Sequence, residues 1–460
     1  MSFGHKLVPS SRKQFKNPKM SCDYSPIGVL DSINKSHLMK IIQKSIDFFF
    51  RRKWFGILLV LGLAYGVGIS TFYRGAFSPR QRTDLTVFLK AGEMVAEGRA
   101  DQIYEAMNVR SWRYVYPPIL AILLAPVSKW PIEATVSLAY LLSLACLAGT
   151  VLLSRRLPEG SRPAPWQIAL AMVFCFPMLL NTLTRGQFGI ITLFFEAAIF
   201  YSYLAHRRLL TGLLLALAVA LKISPLAFLV FFFLMKREWK ILMSTAVGFG
   251  LFFLLLPGLA IGFRQNWELL KIWQGLMSIS QSDGAYHNYL WAQLFTPFAG
   301  DNQSLYAVVT RYAWPSEVQF IGHSNAIVRF ITSALGVLLL ALPFAKAREA
   351  SPSPAKDSVR LLAEFSLFPM LMLFTSPVTQ IHHYTVTYFL FLAALMMMDR
   401  TSRGSRTYQC LMGSLWTCAL CLTLGMVIPL MGYWGLPLWG SMLLWSVVLC
   451  SLNKESVHGT

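Results

Sequence analysis

From residue 54 to residue 452 the chain alternates long apolar runs with short polar breaks. The runs fall at 54–73, 131–154, 166–183, 187–205, 209–222, 225–235, 241–262, 326–345, 361–375, 384–399, 407–430 and 435–452. A bilayer core about 30 Å thick needs roughly 20 apolar residues per helix. The pattern therefore predicts an all-α, polytopic integral membrane protein with about 12 transmembrane helices. Between the first two runs the apolar positions Val87, Phe88, Ala91, Met94 and Val95 recur at helical spacing, which predicts a surface-lying helix that starts at Asp84. The stretch "YVYPPILAILLAPVSKWP" follows it, apolar but broken by Pro117, Pro118, Pro126 and Pro131. Proline pairs forbid an ordinary spanning helix, so a short half-inserted helix beginning at Pro117 is expected.

Composition agrees: 55% of residues are hydrophobic, 13% are charged, and the mean hydropathy is +0.52. A net charge of +20 would suggest nucleic acid in a soluble protein, but here the charges record orientation. Of the 41 Lys and Arg residues, 27 fall in residues 1–53 and in segments that share one side of the membrane in the twelve-span reading. By the positive-inside rule that side is cytoplasmic. Residues 1–53 then form a basic cytoplasmic tail with an interfacial helix, 54–452 the transmembrane domain, and 453–460 a cytoplasmic C-terminal tail. The loops 74–130 and 263–325 face away from the cytoplasm, and the expected partner is the lipid bilayer, with no nucleic acid. No small-residue cleavage site follows the first apolar run. The seven cysteines show no metal spacing and read as packing residues.

Two spans are too short. His206–Arg208 and Lys236–Arg237 both read as cytoplasmic, yet "LKISP" at Leu221 to Pro225 sits midway between them. At 1.5 Å per residue each half reaches only about 20 Å, so this turn should lie below the outer surface. Irregular backbone at membrane depth is tolerated only inside protein or beside a watery cavity. Lys222 is thus placed at the edge of a cavity, the alternative being a lysine that snorkels to the interface.

Candidate chemistry collects on the same side. "TRGQFG" (184–189), "TSPVTQIHHY" (375–384) and "DNQSLYAVVTRY" (301–312) bring cations, amides and imidazoles to helix ends, where ionisable groups are functional candidates. Arg185, Arg311, His382 and His383 together suit an anionic phosphate. Asp84, at a predicted helix start, suits an N-cap, a role compatible with chemistry at the same position. The rings of Trp267, Trp273, Tyr286, Tyr289, Trp291 and Trp314 offer flat faces for a sugar or form an ordinary interfacial belt.

In order along the chain, "DLTVFLKAGEMVAEGRADQIYE", "YVYPPILAILLAPVSKWP", "RGQFGIITLFFEA", "TGLLLALAVALKISPLAFLVFFFLMKREWK", "NQSLYAVVTRY" and "SPVTQIHHYTV" resemble glycosyltransferase family 87. That family groups polyprenol-phosphate-mannose-dependent α-mannosyltransferases of the GT-C class. The resemblance spans Asp84 to Val386. It implies a GT-C-like fold with juxtamembrane helices in the first extracytoplasmic loop. It also implies transfer of a sugar from a polyprenyl-phosphate donor to a glycan or glycolipid acceptor, outside the bacterial cytoplasmic (inner) membrane. The essential aspartate implied is Asp84, as a single base and hence with inversion at the anomeric carbon. The carboxylates Glu93, Glu97, Asp101 and Glu105 read instead as a solvated face.

Lys222, Arg185, Arg311, His383 and His382 are the candidate donor-phosphate ligands. Tyr116, Gln187, Asn302, Gln303 and Gln380 are the candidate substrate contacts. No cofactor or metal is called for, since no Asp-x-Asp diphosphate motif occurs. Two departures leave the sugar open: the family's Gly-Gln-x-Asn reads Gly186-Gln187-Phe188-Gly189, and its Ser-Pro-x-Ser-Trp reads Ser376-Pro377-Val378-Thr379-Gln380. Competing readings are a transporter or flippase, disfavoured by the absence of an internal repeat of "LKISP" or Tyr-Pro-Pro, and a lipid-diphosphate-dependent glycan ligase using Arg311 and His323.

Overall fold

The computed structural model describes residues 68, 71–78, 83–108, 111–157, 162–278, 296–314, 326–348 and 358–452. The expected first span, the interfacial helix, Tyr286, Tyr289, Trp291, His323 and the C-terminal tail lie wholly or mostly outside these residues. Helices dominate throughout and no sheet forms among the described residues, as the hydrophobic pattern requires. In order they are α1 (Leu85–Ala96), α2 (Pro118–Leu124), α3 (Ile132–Arg155), α4 (Pro165–Arg185), α5 (Gly189–Leu204), α6 (Arg208–Leu221) and α7 (Leu229–Met235). There follow α8 (Trp239–Ile261), α9 (Phe263–Ser278), α10 (Leu305–Ala313), α11 (Ala326–Arg348), α12 (Ser358–Thr375), α13 (Thr387–Arg400), α14 (Arg406–Val427) and α15 (Leu436–Ser451).

Seven of the described helices are long and apolar enough to cross a bilayer: α3, α4, α8, α11, α12, α13 with its preceding turn, and α14. The protein is a multi-pass membrane protein. The runs expected at 187–205, 209–222, 225–235 and 435–452 form shorter apolar helices, Gly189–Leu204, Arg208–Leu221, Leu226–Met235 and Leu436–Ser451.

Burial sorts the bundle into an axis and a rim. In the segment Ile381–Arg400, 94% of the most apolar stretch is buried, whereas in α3 the share is 22% and Leu138, Leu141 and Leu142 turn outward. Around α13 pack α4, α5, α12, α14 and α15, joined by Phe174, Phe200, Phe365, Phe389 and Trp445. A second, smaller core lies beside this one. There Phe88, Met94, Ile103, Tyr104, Tyr114 and Leu120 gather α1, the 3-10 turn Ala100–Glu105 and α2 against Leu269 of α9.

Tyrosines fasten the strand that enters α2. Tyr104 donates to the Tyr116 carbonyl at 3.1 Å, and Tyr114 donates to the Pro117 carbonyl at 2.7 Å. Phe88 meets the Tyr116 ring edge-on at 5.0 Å. Pro117 is the N-cap of α2, one position from the predicted start, and Pro118 opens the helix, where its missing N–H and fixed φ suit the first helical position.

The turn between α4 and α5 is fixed by two close approaches. Gly186 ends α4 at φ +63°, and a Cβ there would sit 3.0 Å from that of Leu85. Gly189 opens α5 so tightly that a Cβ would lie 2.6 Å from the His382 carbonyl and 2.7 Å from the Thr182 hydroxyl. Position 189 therefore has no room for any side chain. Gly189→Val should lower stability by roughly 1–3 kcal/mol, read as a fall in the thermal midpoint in detergent; an unchanged midpoint would contradict this packing.

Candidate active site

The C-termini of α4, α6 and α12 and the N-termini of α1, α5 and the turn Ile381–Val386 converge on one cavity of about 530 Å³. Antiparallel neighbours joined by short turns bring these ends to the same end of the bundle. The cavity sits where the small core meets the large one.

Asp84 stands at the N-cap position of α1 but makes no side-chain cap. Its backbone N–H donates to the Arg185 carbonyl at 2.8 Å, which anchors α1 to the end of α4. Its carboxylate faces the cavity and accepts instead from the Gln187 amide nitrogen. The Gln187 carbonyl in turn accepts from the Tyr116 hydroxyl at 3.3 Å and the Lys222 ammonium at 3.5 Å. Burial raises the Asp84 carboxyl above its ordinary range, while the Gln187 hydrogen bond and the charges of Arg185 and Lys222 pull the other way.

Lys222 is buried directly after α6 and lines the cavity, as the short spacing between His206–Arg208 and Lys236–Arg237 led one to expect. Arg185 also lines it, but its guanidinium is held by Asp301 at 3.0 Å and by the Gln380 carbonyl oxygen at 3.2 Å. The two histidine rings meet edge to face at 4.4 Å on the cavity wall. His383 Nδ1 accepts from the Gln380 backbone N–H at 3.3 Å, so its Nε2 carries the proton. His382 Nδ1 is buried without a partner, a state that costs about 1–3 kcal/mol unless a ligand satisfies it.

Three expected contacts serve the scaffold instead. Arg311 is absent from the cavity wall and fully buried. Its guanidinium donates to the carbonyls of Tyr433, Pro297, Ala299 and Asn302 at 2.5–3.0 Å, which engages four of its five N–H groups in the scaffold. Gln303 donates to the Gly300 and Gly432 carbonyls, also away from the cavity. Asn302 borders the cavity but staples two loops, donating to Pro377 and accepting from Ser304 and Thr379. Tyr116 and Gln380 do line the cavity.

Two charged residues escaped the sequence reading. Arg113 lines the cavity with its Nε buried and unpartnered. Its place directly before "YVYPP" was the available signal. Asp301 is a second cavity carboxylate, but its salt bridge to Arg185 engages it. The acidic residues farther along α1 behave as a solvated face: Glu93 pairs with Lys90 and Glu97 with Arg99. Of the aromatic candidates, Trp273 lines the cavity and Trp267 is largely exposed.

In a membrane helix bundle, a carboxylate and several cations around one cavity mark a candidate functional site. Residues 114–377, more than half of the chain, match Glycosyltransferase family 87, and the chain belongs to that family. It is a glycosyltransferase. It is 25% identical over 324 residues to the polyprenol-phosphate-mannose-dependent alpha-(1-2)-phosphatidylinositol mannoside mannosyltransferase of Mycolicibacterium smegmatis, covering 66% of this chain and 67% of that one. No solved structure matches.

Arg311→Met should cost more than about 3 kcal/mol, because it strands buried carbonyls, and should leave the donor KM of the folded enzyme unchanged. Unfolding in detergent and steady-state kinetics read the two effects separately, and a raised KM without lost stability would return Arg311 to the substrate.

Proposed function

We propose that this enzyme transfers a hexose, mannose foremost, from a polyprenyl-phosphate carrier to a hydroxyl of a glycan or glycolipid, with inversion at the anomeric carbon. The acceptor is a membrane-anchored or envelope glycan on the extracytoplasmic side of the bacterial inner membrane. Residues 1–53 and 453–460 then lie in the cytoplasm and the loops 74–130 and 263–325 outside, an orientation supported by the distribution of basic residues. The name of the mycolicibacterial relative supports the donor class. Family membership speaks against the transporter and lipid-diphosphate ligase readings.

The observation that carries the reading is the Asp84 carboxylate, oriented by Gln187 and facing the cavity beside Lys222. In the proposed step the acceptor oxygen attacks the anomeric carbon as its proton passes to Asp84. The bond from the anomeric carbon to the phosphate oxygen breaks, and its electron pair stays on the phosphate. The departing polyprenyl phosphate carries one more negative charge than the donor diester, which Lys222 and Arg113 offset. Fixed cations beside low-dielectric lipid stabilise such charge far better than water does. A phosphate close to Lys222 also favours its ammonium form. The imidazoles of His382 and His383 are placed to meet the sugar or the phosphate oxygens.

Asp84→Asn should lower kcat about 10²–10⁴-fold with donor KM unchanged, in an assay of polyprenyl-phosphate-mannose consumption by purified protein. Unaltered turnover would remove the base. A base works only when deprotonated, so kcat/KM should fall as pH drops through the raised Asp84 value, with the acid limb above the ordinary carboxylate position of about 3.9. Lys222→Met removes a charge that favours the carboxylate and should move this limb further up. A limb that stays in place, or moves down, would contradict the coupling.

A further inference from the structure

At the end of α6 remote from the cavity, two turns of the same shape lie side by side. One joins α5 to α6 and the other joins α7 to α8. His206 and Arg237 each stand at φ +56°, and the residues after them, Arg207 and Glu238, share φ, ψ values of −85°, 65° and −82°, 65°. The N–H groups of His206 and Arg237 donate three residues back, to Tyr203 and Leu234, and those of Arg207 and Glu238 donate five back, to Ser202 and Phe233. Both turns are thus Schellman closures of the preceding helix. They are also tied together. Arg208 pairs with Glu238 at 3.0 Å, and the Ser244 hydroxyl donates to the Leu209 carbonyl at 2.7 Å.

Charge at these turns is lopsided. Glu238 is taken by Arg208, and Glu364 of α12 is taken by both Lys236 and Arg360. Arg207, Arg237 and Lys240 are exposed and form no ion pair with any described residue. A helix end usually gives its left-handed position to glycine, because a side chain is disfavoured there. Both turns carry a basic residue at that position instead. Next to these cations the surface is apolar: Trp239, Met243 and Val247 recur every fourth residue along α8 and are 61–66% exposed, and Leu209 at the start of α6 is 69% exposed. In a bilayer such a stripe meets acyl chains, which puts the turns at the level of the headgroups.

We infer that the paired turns bind an anionic phospholipid, its phosphate held by Arg207, Arg237 and Lys240 and its acyl chains lying along Trp239, Met243 and Val247. Unpaired cations directly beside a lipid-facing apolar stripe match a ligand that joins a negative headgroup to hydrocarbon. A free phosphate would use the cations alone and leave the stripe without a role. The site is separate from the reaction cavity, since the fourteen residues of α6, about 21 Å at 1.5 Å per residue, lie between these turns and Lys222. It therefore stands independently of the transferase reading.

The test titrates purified full-length protein in detergent with short-chain phosphatidylglycerol, phosphatidylcholine of the same chain length, or glycerol phosphate, and counts bound ligand by native mass spectrometry. Phosphatidylglycerol should bind tightest. Arg237→Gly removes one charge and relieves the left-handed backbone, so the thermal midpoint without lipid should hold or rise. Its affinity for phosphatidylglycerol should nevertheless fall about fivefold, the loss expected for one cation at a membrane surface. Arg207→Gln, at negative φ, should weaken binding likewise, and Arg237→Lys should retain it. A phosphatidylglycerol with a photoreactive acyl chain should crosslink within residues 239–247. Asp84→Asn should bind the lipid as the native protein does, which separates this site from the reaction. Equal affinity for the two lipids, glycerol phosphate bound as tightly as phosphatidylglycerol, binding undiminished in both charge-deleting variants, or crosslinks elsewhere would each overturn the assignment.

Discussion

One amide side chain ties the candidate site together. Gln187 donates to Asp84 and accepts from Tyr116 and Lys222, so a surface-lying helix, a proline-rich strap and a broken helix pair meet on a single group. Desolvating a carboxylate costs several kcal/mol, which a fold sustains only where hydrogen bonds and nearby charge offset the penalty. The left-handed Gly186 and the crowded Gly189 hold the turn that carries Gln187. The Asp84 backbone, bonded to the Arg185 carbonyl, holds α1 to that same turn. The carboxylate's position is thus fixed from both ends by covalently adjacent residues.

The two cores explain why the cavity lies where it does. The large core is an apolar bundle about α13, stable against lipid through packing of side chains that interlock. The small core is an amphipathic cap whose apolar faces close on α2 and α9. The polar residues at their seam line one cavity, with Asp84, Lys222, Arg113 and two histidines on its walls. Charge within it is paired unevenly. Arg185 answers Asp301 and Lys222 faces the Asp84–Gln187 pair, whereas the Arg113 Nε is buried without a hydrogen-bond partner.

Much of this was legible in the sequence, and the rest failed for a consistent reason. Helices follow from hydrophobic period, and the short spacing between His206–Arg208 and Lys236–Arg237 put Lys222 at cavity depth before any coordinates. The proline pair located α2 to within one residue. Arg311 and Arg113 lie beside equally suggestive motifs, yet one is wrapped by four carbonyls and the other faces the cavity. No local pattern separates them, because the partners come from residues distant along the chain. Asn302 and Gln303 likewise take their amide hydrogen bonds from loop packing, Asn302 at the border of the cavity and Gln303 away from it. Asp84 stands at the helix start the sequence predicts, but the capping bond that its position suggests is displaced by Gln187, more than a hundred residues away.

The most direct test of the central claim is an experimental structure with a non-transferable polyprenyl-phosphate sugar and an acceptor both bound. The account requires the acceptor hydroxyl within about 2.6–3.2 Å of an Asp84 oxygen, with the phosphate on the opposite face of the sugar ring towards Lys222. A carboxylate turned away from that hydroxyl, or a phosphate lodged on the same face as Asp84, would contradict it.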